Sequence, residues 1–484
     1  MNMSSLIEKA FDPETFREYG HDLVDQLADY LDACRNTEDM KVLPWKTPEE
    51  NLSRWETDFT EPKEKELKEF FAAVIRHSFH FHHPKNMGHQ VVPPAPAAAL
   101  TELLSALLNN SMAIYEVGPV SSTIEKIVTG WTASALNMGE KAGGILTSGG
   151  TTGNLTALLA ARQHQADYDI WELGTKNEST LALMTSAETH YSVARAVKIM
   201  GWGEKGIIKV PVNERREIDH HLLEGCLQQA KDEGKQVVAV VGSACTTSTG
   251  SYDPLEEMSA FCRKHNLWFH IDGAHGAGAA LTQKYKHLIK GIEKADSVVV
   301  DFHKMLLCPA LTTAVIFKNN DCSYETFSQK ASYLVGSREK ENWYDIAQRT
   351  LECTKKMMGI KIYALLQAYG SKLFSDYITN AYDLAEEFAS LIKESSDFQL
   401  ALEPAANIVC FRWEPAHKNS RQVDELNRKI RNRLKEEGEF YIVQTLVGHR
   451  VYLRVTLMNP FTSRKDLIQL LQRIRETAVT LENR

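Results

Sequence analysis

Leu267-Trp-Phe-His-Ile-Asp272-Gly-Ala-His275 and Ser297-Val-Val-Val-Asp301-Phe-His303-Lys304 decide the fold. Each is a short apolar run that ends in polar residues. Runs like these, rich in β-branched and aromatic residues, are expected of strands buried on both faces. The first delivers a carboxylate, Asp272, at its C-terminal end. The second, one crossover later, delivers His303 and Lys304. In an open α/β sheet the carboxyl ends of the strands share an edge, and ligands bind there.

The same pattern recurs on both sides of this pair. Strands are expected at residues 144–147, 181–185, 206–212, 236–243, 267–272, 297–302 and 313–318, with helices at 155–163, 192–200, 220–231 and 254–264. The alternation implies an α/β fold with a mainly parallel, helix-covered sheet. Near the N-terminus, Asp12 is placed to cap a helix that Pro13 opens, and Phe16, Tyr19, Leu23, Val24, Leu27, Tyr30 and Leu31 follow at helical spacing. That apolar face needs a cover, and a partner subunit would supply one. Residues 42–60, interrupted by Pro44 and Pro48, read as an extended connection. Beyond Gly370 come a long helix at 375–393, short strands near 408–413 and 451–457, and a helix at 463–481. The expected division is a helical arm over residues 1–85, a large domain over 86–370 and a small α+β domain over 371–484.

A chain of 484 residues exceeds what one core holds. Its 55 basic and 63 acidic side chains give a net charge of -8, with no basic block to neutralise phosphates, which argues against nucleic-acid and membrane-surface roles. The eight cysteines are scattered and form no CxxC pair, so neither a zinc ribbon nor a disulfide framework is expected. Most sit in apolar runs and read as reduced core residues, which suits a cytoplasmic protein. No leader-like apolar segment opens the sequence, and no segment is long and apolar enough to span a bilayer.

Several strand ends carry residues with chemical potential. Thr147-Ser-Gly149-Gly150-Thr151-Thr152-Gly153-Asn154 joins a strand to a helix. Glycines there let backbone N–H groups approach a phosphate, and the helix dipole favours its charge; a tight turn with no ligand is the alternative. His190, between a strand and a helix, reads either as a capping or core histidine or as a catalytic one, a ring stacked on a planar cofactor or acting in proton transfer. Ser243-Ala-Cys245-Thr246-Thr247-Ser248 ends another strand with small side chains. Gly201-Trp-Gly203-Glu-Lys-Gly206 satisfies GxGxxG, but it follows a helix and precedes a strand, the reverse of the nucleotide fingerprint. It reads as a helix C-terminal turn. His77, His80, His82, His83 and His89 crowd together without Cys or HExxH, so a structural or pocket role fits them better than a metal. A lysine that can form a Schiff base and a carboxylate that can hold a protonated ring nitrogen, at one sheet edge with a phosphate cradle, point to pyridoxal phosphate (PLP).

With these residues in order, the chain resembles the group II PLP-dependent amino-acid decarboxylases, which include aromatic amino-acid, glutamate, cysteine-sulfinate and 2,4-diaminobutyrate decarboxylases. The resemblance covers nearly the whole chain. It is carried by His83-Pro84, Asn109-Asn-Ser-Met-Ala-Ile-Tyr-Glu-Val-Gly-Pro119, the Ser-Gly-Gly-Thr turn, Ala187-Glu-Thr-His-Tyr-Ser-Val193, and the Asp272 and His303-Lys304 strand ends. It implies the aspartate aminotransferase-like fold type I and a homodimer with its active site at the subunit interface. It implies that Lys304 carries PLP, that Asp272 pairs with the pyridine nitrogen and that His190 stacks on the ring. Gly150, Thr151 and His303 would bind the phosphate, and Thr247 and Ala274 would line the ring. Tyr333, on a mobile loop, would protonate the substrate carbon across the interface.

The chain departs from the family at Asp301, where many members have Asn, and at His275, which is Tyr in the aromatic enzymes. His89, Gln90, Ser111 and Ala113 stand where the aromatic enzymes carry larger apolar groups. They imply an aliphatic, polar L-amino acid, diamino or acidic. An aromatic substrate, or another PLP-dependent lyase reaction on the same fold, is the alternative.

Overall fold

Seven strands build the larger sheet: β1 (Gly143–Thr147), β2 (Thr180–Ser186), β3 (Ile207–Val210), β4 (Lys235–Ser243), β5 (Trp268–Asp272), β6 (Ser297–Asp301) and β7 (Thr313–Phe317). The structure is a computed structural model. It describes residues 5–37, 39–57, 67–175, 180–327 and 343–482. The chain forms two units, one of Met1–His89, Ser390–Gln399 and Phe411–Arg484, the other of Gln90–Ala389 and Leu400–Cys410.

The second unit holds the larger sheet, in the order β1-β7-β6-β5-β4-β2-β3. β2 pairs in parallel with β3 and β4, β4 with β5, and β5 with β6. β7 is antiparallel to both of its neighbours, β6 and β1. The sheet is therefore mixed but largely parallel. Because β7 alone is reversed, β1 still runs with β2, β4, β5 and β6, and their carboxyl ends share one edge. Every residue of β5 and β6 is buried. Burying each valine side chain, such as Val298 or Val299, contributes roughly 1.5–3 kcal/mol.

Helix α1 (Gly150–Gln165) packs on this sheet, its Leu155, Leu158 and Leu159 sharing a core with Ile145, Leu183, Val241, Val299 and Val315. It begins five residues before the expected start at 155, so the glycine-rich turn is itself the first helical turn. Glycine and threonine are weak helix formers, and here packing against the sheet outweighs propensity. The strand expected over 206–212 ends at Val210, because Pro211 has no N–H to donate; Val212 makes only an isolated bridge to Ile218. Between α2 (Tyr191–Ile199) and β3, Gly201 and Gly203 take φ of 83° and 63°, as a helix C-terminal turn requires.

In the first unit, the helix Pro13–Asn36 starts as expected, Asp12 accepting from the Thr15 amide at 2.7 Å. Residues 42–60 are not simply extended. Pro48 opens a helix, Pro48–Trp55, whose Thr47 and Glu50 form a reciprocal capping box. Proline breaks a helix interior but suits its first turn, which is why a breaker became a start. A second sheet has four strands, β8 (Phe398–Leu400), β9 (Ile408–Trp413), β10 (Val443–Val447) and β11 (Arg450–Thr456), in the order β10-β11-β9-β8. Among the described residues no helix is long and apolar enough to cross a membrane.

The histidine-rich segment of this unit is built into its packing. His83 is 4% exposed, and its Nδ1 accepts the Lys85 amide at 3.1 Å. Burial pushes both His82 and His83 down to about 4. The folded state therefore binds fewer protons than the unfolded state between the ordinary value of 6.5 and about 4. The stability these rings contribute is complete above pH 6.5 and is lost as the pH falls towards 4, on the order of 3 kcal/mol per buried ring. Thermal midpoints at pH 7.5 and 4.5 check this: the wild type should lose stability, and His83→Gln should lose distinctly less.

Candidate active site

The shared strand edge opens into a cavity of about 390 Å³, a size suited to a small ligand. Its lining includes Ser148, Gly149, Gly150 and Thr151 after β1, His190 and Ser192 after β2, Cys245 to Thr247 after β4, Asp272 at the end of β5 with Ala274 and His275 beyond it, and Asp301 at the end of β6 with His303 and Lys304 beyond it. Sequence-distant residues meet here because each follows a strand that ends at the same edge.

Asp272 is 8% exposed. Its Oδ1 accepts from the Ala274 amide at 3.2 Å and its Oδ2 from Asn154 Nδ2 at 2.8 Å. His190 both caps α2 and faces the cavity, so the two readings of this residue are compatible. Its Nδ1 lies 2.8 Å from Ser192 Oγ and accepts the Ser192 amide at 3.3 Å. Burial lowers the His190 pKa, with Lys304 and Arg195 acting in the same direction and the carboxylates of Asp272 and Asp301 opposing them. The ring is neutral at pH 7.

Lys304 Nζ sits 3.1 Å from Asp301 Oδ2. Burial pulls this amine down, but Asp301 and then Asp272 more than offset it, and the net shift is upward. It rests as an ammonium and must shed a proton before it can attack a carbonyl carbon. Asp301, 2% exposed, also accepts from the Thr313 hydroxyl, and His303 Nε2 lies 3.6 Å from its Oδ2. His303 Nδ1 is fixed against the carbonyl and amide of Thr312, at 3.0 and 3.1 Å. His275 is buried with its Nε2 2.7 Å from Asn407 Oδ1.

Residues 48–414 match the pyridoxal-dependent decarboxylase conserved domain. The chain belongs to the pyridoxal-dependent decarboxylase family. It is 27% identical to the L-2,4-diaminobutyrate decarboxylase of Acinetobacter baumannii over 86% of this chain and 84% of that one. It is 26% identical to the aromatic-L-amino-acid decarboxylase of Bacillus atrophaeus over 96% of each. The crystal structure of a glutamate decarboxylase domain from Vibrio parahaemolyticus, described with diaminobutyrate-pyruvate transaminase and L-2,4-diaminobutyrate decarboxylase, superposes with a TM-score of 0.84 at 26% identity, covering 96% of both chains. The fold is thus the aspartate aminotransferase-like fold type I. The protein is a PLP-dependent carboxy-lyase that acts on an L-amino acid.

The residues of this decarboxylase fit that cofactor. A Cβ built on Gly150 would stand 3.1 Å from both Asp301 carboxylate oxygens, filling the space at the start of α1. Without it, the first-turn N–H groups, which have no intrahelical partners, stay open to a phosphate. The donor set also matches: an amine at Lys304 for an aldehyde, an anion at Asp272 for a ring nitrogen, and a neutral imidazole at His190.

Of the residues named from the sequence, Gly150, Thr151, His190, Thr247, Asp272, Ala274, His303 and Lys304 all line this one cavity. His89, Gln90, Ser111 and Ala113 do not appear in its lining. His89 is exposed, Gln90 is buried, and the carbonyls of Ser111 and Ala113 accept from the amides of Lys355 and Ala347. Tyr333 lies outside the described residues. Sequence reasoning passed over Asn154, Ser192 and Arg195, which also line the cavity, and the buried His270 behind it. One signal was available for His270. It precedes Asp272 by two positions on β5, so both side chains leave the strand on the same face.

Proposed function

We propose that this decarboxylase acts on an aliphatic L-amino acid with a polar side chain, a second amine or a second acid group, releasing carbon dioxide and the corresponding amine. One observation carries the reading. Among the described residues the cavity lining contains no Phe, Tyr or Trp, and Leu311 is its single large aliphatic side chain. Imidazoles apart, these residues offer a bound small molecule polar partners rather than broad apolar contacts, which supports a polar substrate. The similarity to a 2,4-diaminobutyrate decarboxylase points the same way. The near full-length match to an aromatic decarboxylase is what favours the second reading, an aromatic substrate.

When bound, PLP supplies an electron sink for the pair left on Cα as carbon dioxide departs. In this reading Gly150, Thr151 and His303 hold the phosphate, and Thr247 and Ala274 border the ring. Asp272 would keep a proton on the cofactor's ring nitrogen, because a nearby anion favours the charged form. His190 would lie against the ring as a neutral imidazole. Lys304 is the amine that would hold the cofactor through its aldehyde carbon. Tyr333 returns a proton to Cα.

A second copy of the chain is the proposed partner. Leu100, Leu103, Leu104 and Leu107 are exposed at helical spacing on the helix Pro96–Leu108, and Phe16, Val24 and Leu27 are exposed on Pro13–Asn36. Faces of this kind fit a homodimer interface. The proposed location is the cytoplasm, in keeping with eight cysteines that form no disulfide.

The test is a panel: 2,4-diaminobutyrate, ornithine, aspartate, glutamate and cysteine sulfinate against tyrosine and tryptophan, with amine and carbon dioxide both measured. One aliphatic substrate should exceed every aromatic one in kcat/KM by about 100-fold or more. Turnover of aromatic substrates alone would overturn the proposal.

A further inference from the structure

A chain of buried polar groups runs from the back of the sheet to the cavity, and its proton positions can be deduced. Trp268, Ser297, His270, Asn154 and Ser192 are each 3% exposed or less. The Trp268 indole N–H can only donate, and it lies 2.9 Å from Ser297 Oγ. At the other end, Asn154 Nδ2 lies 2.8 Å from Asp272 Oδ2 and 2.8 Å from Ser192 Oγ. Asp272, as a carboxylate, can only accept. The Asn154 amide must therefore turn its two N–H groups toward Asp272 and Ser192. Its Oδ1 then faces back to His270 Nε2, at 3.0 Å.

Oδ1 cannot donate, so the His270 proton sits on Nε2. Its Nδ1, 2.9 Å from Ser297 Oγ, is left to accept the serine hydroxyl. Burial lowers the His270 pKa, which keeps the ring neutral and this tautomer complete. Every donor and acceptor along the chain is matched. Flipping the amide would set Oδ1 against the Asp272 carboxylate and break the match at both ends.

We infer that Asn154 is a positioning residue for the cofactor's ring end. Its amide, oriented from behind by Trp268, Ser297 and His270, fixes the direction in which the Asp272 carboxylate faces and braces Ser192, which carries His190. An isolated Asp272 at a strand end would be free to rotate about its side-chain bonds. Two donors, the Ala274 amide and Asn154, hold both oxygens. Asparagine meets this need because it carries two donors and one acceptor in a single plane. The tautomer rests on the hydrogen-bond geometry together with a neutral ring; the consequence for cofactor binding rests on the decarboxylase reading of Asp272.

Two measurements test the inference on the full-length protein. The first is NMR with ring-15N histidine, the His270 signals being those lost in His270→Gln. The proton should be found on Nε2; a proton on Nδ1 overturns the network. The second is the dissociation constant for PLP, read by fluorescence titration of cofactor-stripped protein. Asn154→Asp keeps the oxygen that faces His270 and replaces the N–H group that faces Asp272. It should weaken PLP binding by about tenfold to a hundredfold, while His270 stays Nε2-protonated. Asn154→Leu should weaken binding to a similar degree and change the His270 ring signals. PLP affinity within threefold of wild type in either folded variant overturns the positioning role. Neither readout depends on turnover, so a wrong substrate class would leave both outcomes intact.

Discussion

Replacing Lys304 by alanine is expected to lower kcat by at least about 10⁴-fold, the scale of losing a covalent catalyst. Among the described cavity-lining residues Lys304 is the one primary amine; Arg195, the other cation, cannot give up its proton. The geometry also separates charge from chemistry. Lys304 pairs with Asp301 at 3.1 Å, so a lost activity in the alanine variant has two possible sources, an unpaired buried carboxylate or a missing nucleophile. Lys304→Arg distinguishes them. It keeps a cation beside Asp301 but has no amine that can attack an aldehyde. Both variants should be inactive, and only the alanine variant should be destabilised. Borohydride reduction followed by peptide mass analysis gives a direct readout. Wild-type protein should retain the cofactor on the peptide that contains Lys304, and neither variant should. Cofactor trapped at another lysine in wild-type protein would overturn the assignment.

The parts of this site that follow from one strand at a time were legible in the sequence. Asp272 and Lys304 stand out because buried apolar strands end on them, and the edge they share follows from the parallel rule. The reversal of β7 was not legible. An antiparallel and a parallel buried strand have the same composition, and only pairing distinguishes them. The early start of α1 at Gly150 and the helix that begins at Pro48 were missed for a related reason. Glycine and proline were read as breaks, whereas packing and capping made them starts. The Asn154–His270 network was hidden more deeply. Its meaning lies in which atom faces which, across α1, β5 and β6, and no spacing within one segment encodes that. Gln90 and Ser111, expected from the sequence on the substrate side, are not among the residues that line the cavity of a single chain. If the active site is completed by a second copy, one chain holds only part of that information.

Changing Asp272 to asparagine is the sharpest test of the electrostatics, with an expected fall in kcat of about 10³-fold. An anion roughly 4 Å from a positive ring nitrogen is worth on the order of 4 kcal/mol at an effective dielectric near 20, which corresponds to that factor in rate. The substitution preserves volume but changes more than charge. Asparagine would turn a donor either toward the Asn154 amide group or toward the Ala274 amide, both of which donate to Asp272. Cofactor affinity should therefore fall as well, and kcat must be compared at saturating PLP. The pH profile supplies an independent check. The Asp272 charge favours the protonated form of His190 against the effect of burial. Removing it lowers the His190 pKa further, so any acid limb governed by this ring should move to lower pH in Asp272→Asn. Asp272→Glu, which restores the charge at a longer reach, should recover part of the rate and return the limb towards its wild-type position. An Asp272→Asn enzyme within tenfold of wild type at saturating cofactor would mean that this carboxylate does not maintain the electron sink.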